Sequence, residues 1–217
     1  MDLEKTHRFI CSFIVCGVLV SAFAAPASAQ VATKLCYPHQ MEDIAAVSNQ
    51  IQARWERLEA DLEERLDKNI KGCMKRRFQG RDGVGDKPGN GTVVCVQNSP
   101  PSDSKEHGNW IGNRTICEGA GNGFGLTTNK TILLCPAFLN RMENGKDFQK
   151  AANRRACYAS LLVHEFWHSC FRNLTLDESK NSTARIVERV TFRFWRDVVK
   201  ANAPNAVTID KAEECFQ

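Results

Sequence analysis

The sequence predicts an α+β fold in which helices surround a small sheet that disulfides hold together. Residues 41–77 carry apolar side chains three or four positions apart, which indicates one long amphipathic helix. Residues 79–129 are rich in glycine and proline, which favours short strands and turns. Residues 156–171 and 182–201 return to the helical period, so two further helices are expected before the C-terminus.

The glycine-rich part contains the predicted strands. Segments 92–97, 109–117 and 131–135 are strand candidates, because each combines β-branched or aromatic residues with flanking turn signals. Residues 119–125 resemble a phosphate-binding loop only in glycine content; no Lys-Ser/Thr pair and no helix signal follows, so this run is a predicted turn. We therefore expect a small, irregular sheet.

Residues 1–29 predict a secretory signal peptide. Lys5 and Arg8 precede an apolar run over 9–25, and Ala27-Ser28-Ala29 provides a small-residue cleavage pattern. The cut is expected after Ala29, with Ala25 as the competing site. The apolar run is short for a membrane span, and no other segment has the length and hydrophobicity to cross a bilayer. The protein is therefore expected to be secreted or periplasmic, without membrane attachment once the leader is removed.

The cysteine count supports the same compartment. Of ten cysteines, Cys11 and Cys16 fall in the leader. An even number remains, which predicts up to four disulfides in an oxidising environment, although sequence does not determine their pairing. No Cys-x-x-Cys pair supports a structural metal cluster. The remaining cysteines are Cys36, Cys73, Cys95, Cys117, Cys135, Cys157, Cys170 and Cys215.

Length and charge limit the other possibilities. Residues 30–217 suit a single domain with its own core. The formal net charge of +4 is small and the basic residues are dispersed, which argues against nucleic acid or a charged membrane surface as a partner. The oligomeric state stays open.

The pentad His164-Glu165-Phe166-Trp167-His168 predicts a metal site. On a helix, histidines four apart lie on one face and can direct both imidazoles at one cation, while the adjacent Glu165 can reach a water on it. Phe166 and Trp167 are expected to fill the core behind the helix. The sequence therefore predicts Zn²⁺ held by His164 and His168, with Glu165 as general base.

Catalytic zinc commonly has three protein ligands and one open position, so a third ligand is needed. Asp177 is the first candidate, Glu188 the alternative and Glu178 the last. Each also has a structural interpretation: Asp177 and Glu178 suit the start of a helix, and Glu188 could pair with an arginine. Glu188 follows His168 by twenty residues, a separation that resembles the glutamate-zincins.

Several segments resemble the aspartate-zincin metallopeptidases, the deuterolysin and lysine-specific metalloendopeptidase group. They are the run Thr131-Ile132-Leu133-Leu134-Cys135-Pro136-Ala137-Phe138, then Leu162-Val163-His164-Glu165, then Arg172-Asn173 and Thr175-x-Asp177. The resemblance covers about 50 residues. It implies a zincin-like fold, with His164, His168 and Asp177 as metal ligands, Glu165 as general base and strand 131–135 beside the substrate cleft.

The predicted function is a secreted zinc metalloendopeptidase that hydrolyses peptide or protein substrates. A water on the metal would lose a proton to Glu165 and attack the carbonyl carbon of the substrate. The Glu165 carboxyl group would then protonate the leaving amine. The alternative is an exported binding or inhibitory protein with a structural or decayed metal site. Leu174 stands where the family has glycine, and Ser179-Lys180-Asn181-Ser182 replaces its tyrosine motif, which leaves the oxyanion-stabilising residue unidentified.

Overall fold

The computed structural model describes residues 31–62, 68–78, 92–119, 125–128, 131–170, 183–203 and 206–216. The predicted leader therefore lies outside the described residues, as do Asp177 and Glu178. The elements, in chain order, are β1 (Thr33–Lys34), α1 (Pro38–Ala53), α2 (Trp55–Leu62), α3 (Lys68–Phe78), β2 (Thr92–Cys95), α4 (Ser104–Gly119), β3 (Gly125–Thr128), β4 (Thr131–Leu134), α5 (Pro136–Asn144), α6 (Ala151–Cys170) and α7 (Thr183–Asn202). Short 3₁₀ helices occupy Lys146–Gln149 and Ala212–Cys215.

The N-terminal helical pattern is interrupted at Arg54, where one continuous helix was predicted; residues 63–67, between α2 and α3, lie outside the described residues. Most of the predicted apolar face is buried at 3% exposure or less; Ile70 is only partly buried, and Leu66 lies outside the described residues. Arg54 leaves the helical conformation (φ −126°, ψ 24°) and separates α1 from α2. Side-chain periodicity continues across this break, which is why the sequence does not reveal it. The buried members include Ile44, Val47, Ile51, Trp55, Leu58 and Leu62.

The sheet is small and mixed, with strand order β1-β2-β4-β3. β1, β2 and β4 run parallel, while β3 is antiparallel to β4 and lies at one edge of the described sheet. The predictions at 92–97 and 131–135 are confirmed as β2 and β4. β4 lies between β2 and β3, so β3 forms the edge of the described sheet next to residues 131–135; the position of residues 131–135 beside a substrate cleft stays a prediction.

The prediction of a strand at 109–117 is wrong, because these residues belong to α4. β-branched residues and flanking turn signals made the segment look extended. In the structure, Trp110 donates its indole N–H to the Gln97 carbonyl at 2.9 Å, and the Arg114–Glu118 pair supports the helical turn. A disulfide from Cys117 to Cys135 adds a covalent link to the chain directly after β4. Contacts distant in sequence thus override local propensity.

All eight cysteines that follow residue 29 form disulfides, as predicted. Two bonds attach to strand ends in the sheet, Cys36–Cys95 and Cys117–Cys135. The other two attach to α6, Cys73–Cys170 and Cys157–Cys215. The helix that carries the pentad is therefore covalently linked to α3 at its C-terminal end and to the C-terminal 3₁₀ helix near its middle.

Helix α6 is the centre of the fold. It packs against α7, α1, α3 and β3, and one large apolar cluster includes side chains from helices α1, α2, α3, α6 and α7. Asp43 of α1 is 1% exposed and accepts charge-assisted hydrogen bonds from Arg154 (2.8 Å) and Arg155 (2.7 Å) of α6. These pairs fix the N-terminal part of α6 against α1.

The sheet is covered on both faces. Val93, Ile132 and Leu134 belong to the large cluster, while the alternating neighbours Val94 and Leu133 belong to a smaller one that includes Cys117 of α4. None of the described helices combines the length and apolar character needed to cross a bilayer. The described fold is therefore helix-rich and mixed, with a small sheet between α4 and α6.

Candidate metal centre

The two histidines of the pentad converge on α6. The predicted helix at 156–171 is confirmed as Ala151–Cys170, so His164 and His168 lie one turn apart on the same face. Their Nε2 atoms are 3.1 Å apart and their ring planes are inclined by 62°. Both side chains are buried, at 3% and 8% exposure.

This spacing fits a shared zinc ion. Two nitrogens that each lie about 2.0–2.1 Å from one tetrahedral zinc are about 3.3 Å from each other. The observed 3.1 Å is close to that value. In the metal-free chain the same approach can be a hydrogen bond, in which one Nε2 donates to the other.

Glu165 is buried at 4% exposure, and β3 positions its carboxylate. The Thr127 hydroxyl lies 2.8 Å from Oε2 of Glu165 and 2.8 Å from its backbone carbonyl oxygen, and can donate to either. Gly125 is the second contact: a Cβ there would lie 2.8 Å from Oε1 of Glu165 and 3.0 Å from Cδ1 of Leu161. β3 therefore contacts both carboxylate oxygens of Glu165. The Thr127 hydroxyl can donate a hydrogen bond to Oε2, and the lack of a side chain at Gly125 leaves room for Oε1.

Sequence reasoning missed Thr127 and Gly125, because residues 119–125 were assigned to a turn and β3 was not predicted. The sequence does contain a signal for the hairpin that includes β3. The segments Gly125–Thr128 and Thr131–Leu134 are separated by two residues, Asn129 and Lys130, which is the spacing of a tight hairpin.

Glu188 contacts the His164 ring at the nitrogen that does not face His168. Its Oε2 is 3.2 Å from Nδ1 of His164, whereas Nε2 of His164 faces His168. Arg185 also contacts this oxygen through Nη1 at 2.7 Å. The structural interpretation of Glu188 as a partner of an arginine is thus confirmed, and the same carboxylate contacts a predicted metal ligand.

The third ligand stays a prediction. Asp177 and Glu178 lie outside the described residues. No group of three or more His, Cys, Asp or Glu side chains suited to a metal occurs within the parts of the chain that the structure describes. Within the described residues, the candidate metal site therefore consists of the two converging imidazoles of His164 and His168.

No protein-family model, curated protein or solved structure matches this chain. The chemistry of the site must therefore be inferred from its own residues.

Three aromatic side chains of α6, Phe166, Trp167 and Tyr158, have structural roles. Phe166 is fully buried and Trp167 packs against the core, as expected. Tyr158 is 1% exposed and packs edge-on against Phe138, with ring centroids 5.1 Å apart. Burial and then the negative charge of Asp43 raise the pKa of the Tyr158 phenol. Tyr158 is therefore a core residue.

Proposed function

We propose that this protein is a zinc-dependent metalloendopeptidase. One observation carries the proposal: the Nε2 atoms of His164 and His168 converge to 3.1 Å beside the buried carboxylate of Glu165. Two neutral imidazoles are typical zinc donors, and zinc with a general base is suited to amide hydrolysis. The resemblance to the aspartate-zincins gives the same reaction class.

His164 and His168 would hold the ion, with Asp177 as the proposed third ligand. When bound, zinc lowers the pKa of a coordinated water and polarises the substrate carbonyl. Glu165 would accept the proton of that water and return it to the leaving amine. Thr127 restrains Glu165 during both transfers by holding Oε2, so the carboxylate can use Oε1 for the proton.

The edge position of β3 supports an extended peptide as substrate. Strands at the edge of a sheet present backbone N–H and C=O groups to which a peptide can add as a further strand. Among the described strands, β3 has β4 on one side only, and its Thr127 contacts Glu165. A peptide that pairs with β3 would therefore pass close to the proposed general base.

Secretion is part of the proposal. The structure contains four disulfides, which persist in oxidising compartments and are rare in reducing ones. The predicted leader over residues 1–29 agrees with export to the extracellular space or the periplasm.

The test is metal analysis and casein digestion of the purified chain that begins at Gln30. The wild-type chain should bind one zinc, cleave casein, lose cleavage with a chelator and recover it with zinc. Glu165→Gln should retain zinc and lose cleavage by about 10²- to 10⁴-fold, because the amide cannot accept the proton. Glu118→Gln, a matched change on the exposed face of α4, should behave as wild type.

Casein cleavage by Glu165→Gln at the wild-type rate would refute the role of Glu165. A wild-type chain that binds zinc without cleaving peptides would instead support the second candidate, an exported binding or inhibitory protein. One observation favours that candidate: of the two tyrosines, Tyr158 is in the core and Tyr37 is in the turn before α1, so neither is placed to replace the missing tyrosine motif.

A further inference from the structure

A buried carboxylate joins the two helices that form the candidate site. Glu188 of α7 is 2% exposed, and its Oε2 lies 3.2 Å from Nδ1 of His164 on α6. A carboxylate is costly to bury unless positive or hydrogen-bonding groups surround it. The placement therefore requires a reason beyond packing.

The contact selects one nitrogen of the ring. An imidazole that binds a metal through Nε2 must carry its proton on Nδ1, and a carboxylate at Nδ1 accepts that proton and stabilises this tautomer. In His164, Nε2 lies 3.1 Å from Nε2 of His168, and Nδ1 lies 3.2 Å from Oε2 of Glu188, an ion-pair contact that a small rotation would align as a hydrogen bond. The arrangement is thus the one in which Nε2 keeps its lone pair for a cation shared with His168.

Neighbouring contacts fix Glu188 in this position. Arg185, one turn earlier on α7, places Nη1 2.7 Å from the same Oε2. Ser160, one turn before His164 on α6, donates its hydroxyl to the backbone carbonyl of Glu188 at 3.3 Å. Ser160 and His164 lie on one face of α6, so both the main chain and the side chain of Glu188 are held against that face.

We propose that Glu188 is a positioning residue for His164 and not the third metal ligand. The inference rests on the proposed function, because it assigns the role of Glu188 within the same metal site. To ligate a cation between the two Nε2 atoms through Oε2, Glu188 would have to break the contacts of this oxygen with both Nδ1 of His164 and Arg185. Carboxylates that hold ligating histidines in this way commonly change metal affinity by 10- to 100-fold.

Two substitutions separate the two roles. Glu188→Gln keeps an oxygen that accepts from Nδ1 but is a poor zinc ligand. Glu188→Met has similar length and no acceptor of comparable strength. The measurements are the zinc Kd by competition with a chromogenic chelator, the stoichiometry at saturating zinc, and the visible absorption of the Co²⁺-substituted chain, which reports coordination.

For a positioning residue, Glu188→Gln should bind zinc within about threefold of wild type and Glu188→Met about 10- to 100-fold more weakly. Both variants should still bind one metal at saturation, with the wild-type Co²⁺ spectrum. Far-ultraviolet circular dichroism and urea unfolding check that each variant is folded. If Glu188→Met does not fold, the Kd and Co²⁺ spectrum of Glu188→Gln still decide between the roles.

A changed Co²⁺ spectrum or an empty site in Glu188→Gln would overturn the inference, because a ligand would then have been lost. Unchanged zinc affinity in a folded Glu188→Met would overturn it as well, since Glu188 would then have no effect on the site. A wild-type chain that binds no zinc would remove the proposed function itself. If the wild-type chain binds zinc and cleaves casein while the Glu188 variants give one of the contrary results, only the inference about Glu188 fails and the proposed function stands.

Discussion

Thr127 and Glu165 are joined across 38 positions of sequence by a 2.8 Å contact between a strand hydroxyl and a helix carboxylate. This relationship connects the edge strand β3 to the proposed general base. The same hydroxyl is also 2.8 Å from the Glu165 backbone carbonyl, so Thr127 contacts the helix main chain at the pentad. The orientation of Glu165 therefore depends on β3 as well as on α6.

Thr127→Val should lower kcat for casein-derived peptides about tenfold, which corresponds to about 1.4 kcal/mol of lost transition-state stabilisation. Valine has nearly the same shape as threonine but no hydroxyl, so the Glu165 carboxylate loses a donor while the packing is retained. KM and zinc stoichiometry should not change, because the Thr127 hydroxyl contacts Glu165 and valine keeps the shape of the side chain. Steady-state kinetics and metal analysis provide the readouts.

Thr127→Ser is the matched control, because it keeps the hydroxyl and removes only the methyl group. It should restore most of the kcat that Thr127→Val loses. Equal kcat in all three proteins would contradict a positioning role for Thr127. Loss of zinc together with kcat in Thr127→Val would indicate a general disturbance of the site.

Gly125→Ala should displace the Glu165 carboxylate and lower peptide cleavage at least tenfold. The added Cβ would lie 2.8 Å from Oε1 of Glu165, closer than nonbonded atoms tolerate, and 3.0 Å from Leu161. Overpacking of this kind typically costs about 1–3 kcal/mol of unfolding free energy. Peptide cleavage and urea unfolding measure the two effects, while zinc binding by the histidines should be retained.

Gly112→Ala provides the comparison, since a Cβ at Gly112 in α4 meets nothing within 4 Å. In a helix interior, alanine is favoured over glycine by about 0.5–1 kcal/mol, so this variant should be more stable and equally active. The interpretation of Gly125 fails if Gly125→Ala cleaves peptides as fast as Gly112→Ala.

The predictable parts of the fold are those with a strong local pattern. Helices α6 and α7 follow from apolar residues at the helical period without internal glycine or proline. Strands β2 and β4 follow from short apolar runs between turn signals. The geometry of His164 and His168 is also local, because spacing by four positions on a helix is enough to bring two rings together.

The unpredicted parts depend on contacts between distant residues. Helix α4 forms where β-branched residues favour a strand, and the Cys117–Cys135 bond and the Trp110–Gln97 contact help to hold it. The support of Glu165 by Thr127 requires the β3–β4 hairpin to pack against α6. The contact of Glu188 with Nδ1 instead of Nε2 depends on how α7 is oriented against α6. Periodicity identifies the buried face of α7 but does not fix that orientation.

Tyr158 gives a prediction about stability at alkaline pH. Burial raises the pKa of its phenol most, the charges of Asp43 and Glu143 raise it further, and Arg154 partly opposes them. The folded chain therefore keeps the phenolic proton at pH values where an unfolded tyrosine, with a pKa of about 10, releases it. Because the folded state binds more protons in that range, its stability must fall as the pH rises above about 10.

The measurement is the free energy of unfolding in urea as a function of pH for wild type, Tyr158→Phe and Tyr37→Phe. The difference between wild type and Tyr158→Phe should be constant below about pH 9 and should then fall by up to about 1.4 kcal/mol per pH unit. Tyr37, which is 46% exposed, serves as the control, and Tyr37→Phe should follow the wild-type curve. Parallel curves for wild type and Tyr158→Phe up to about pH 11 would show that the Tyr158 phenol does not contribute to alkaline instability.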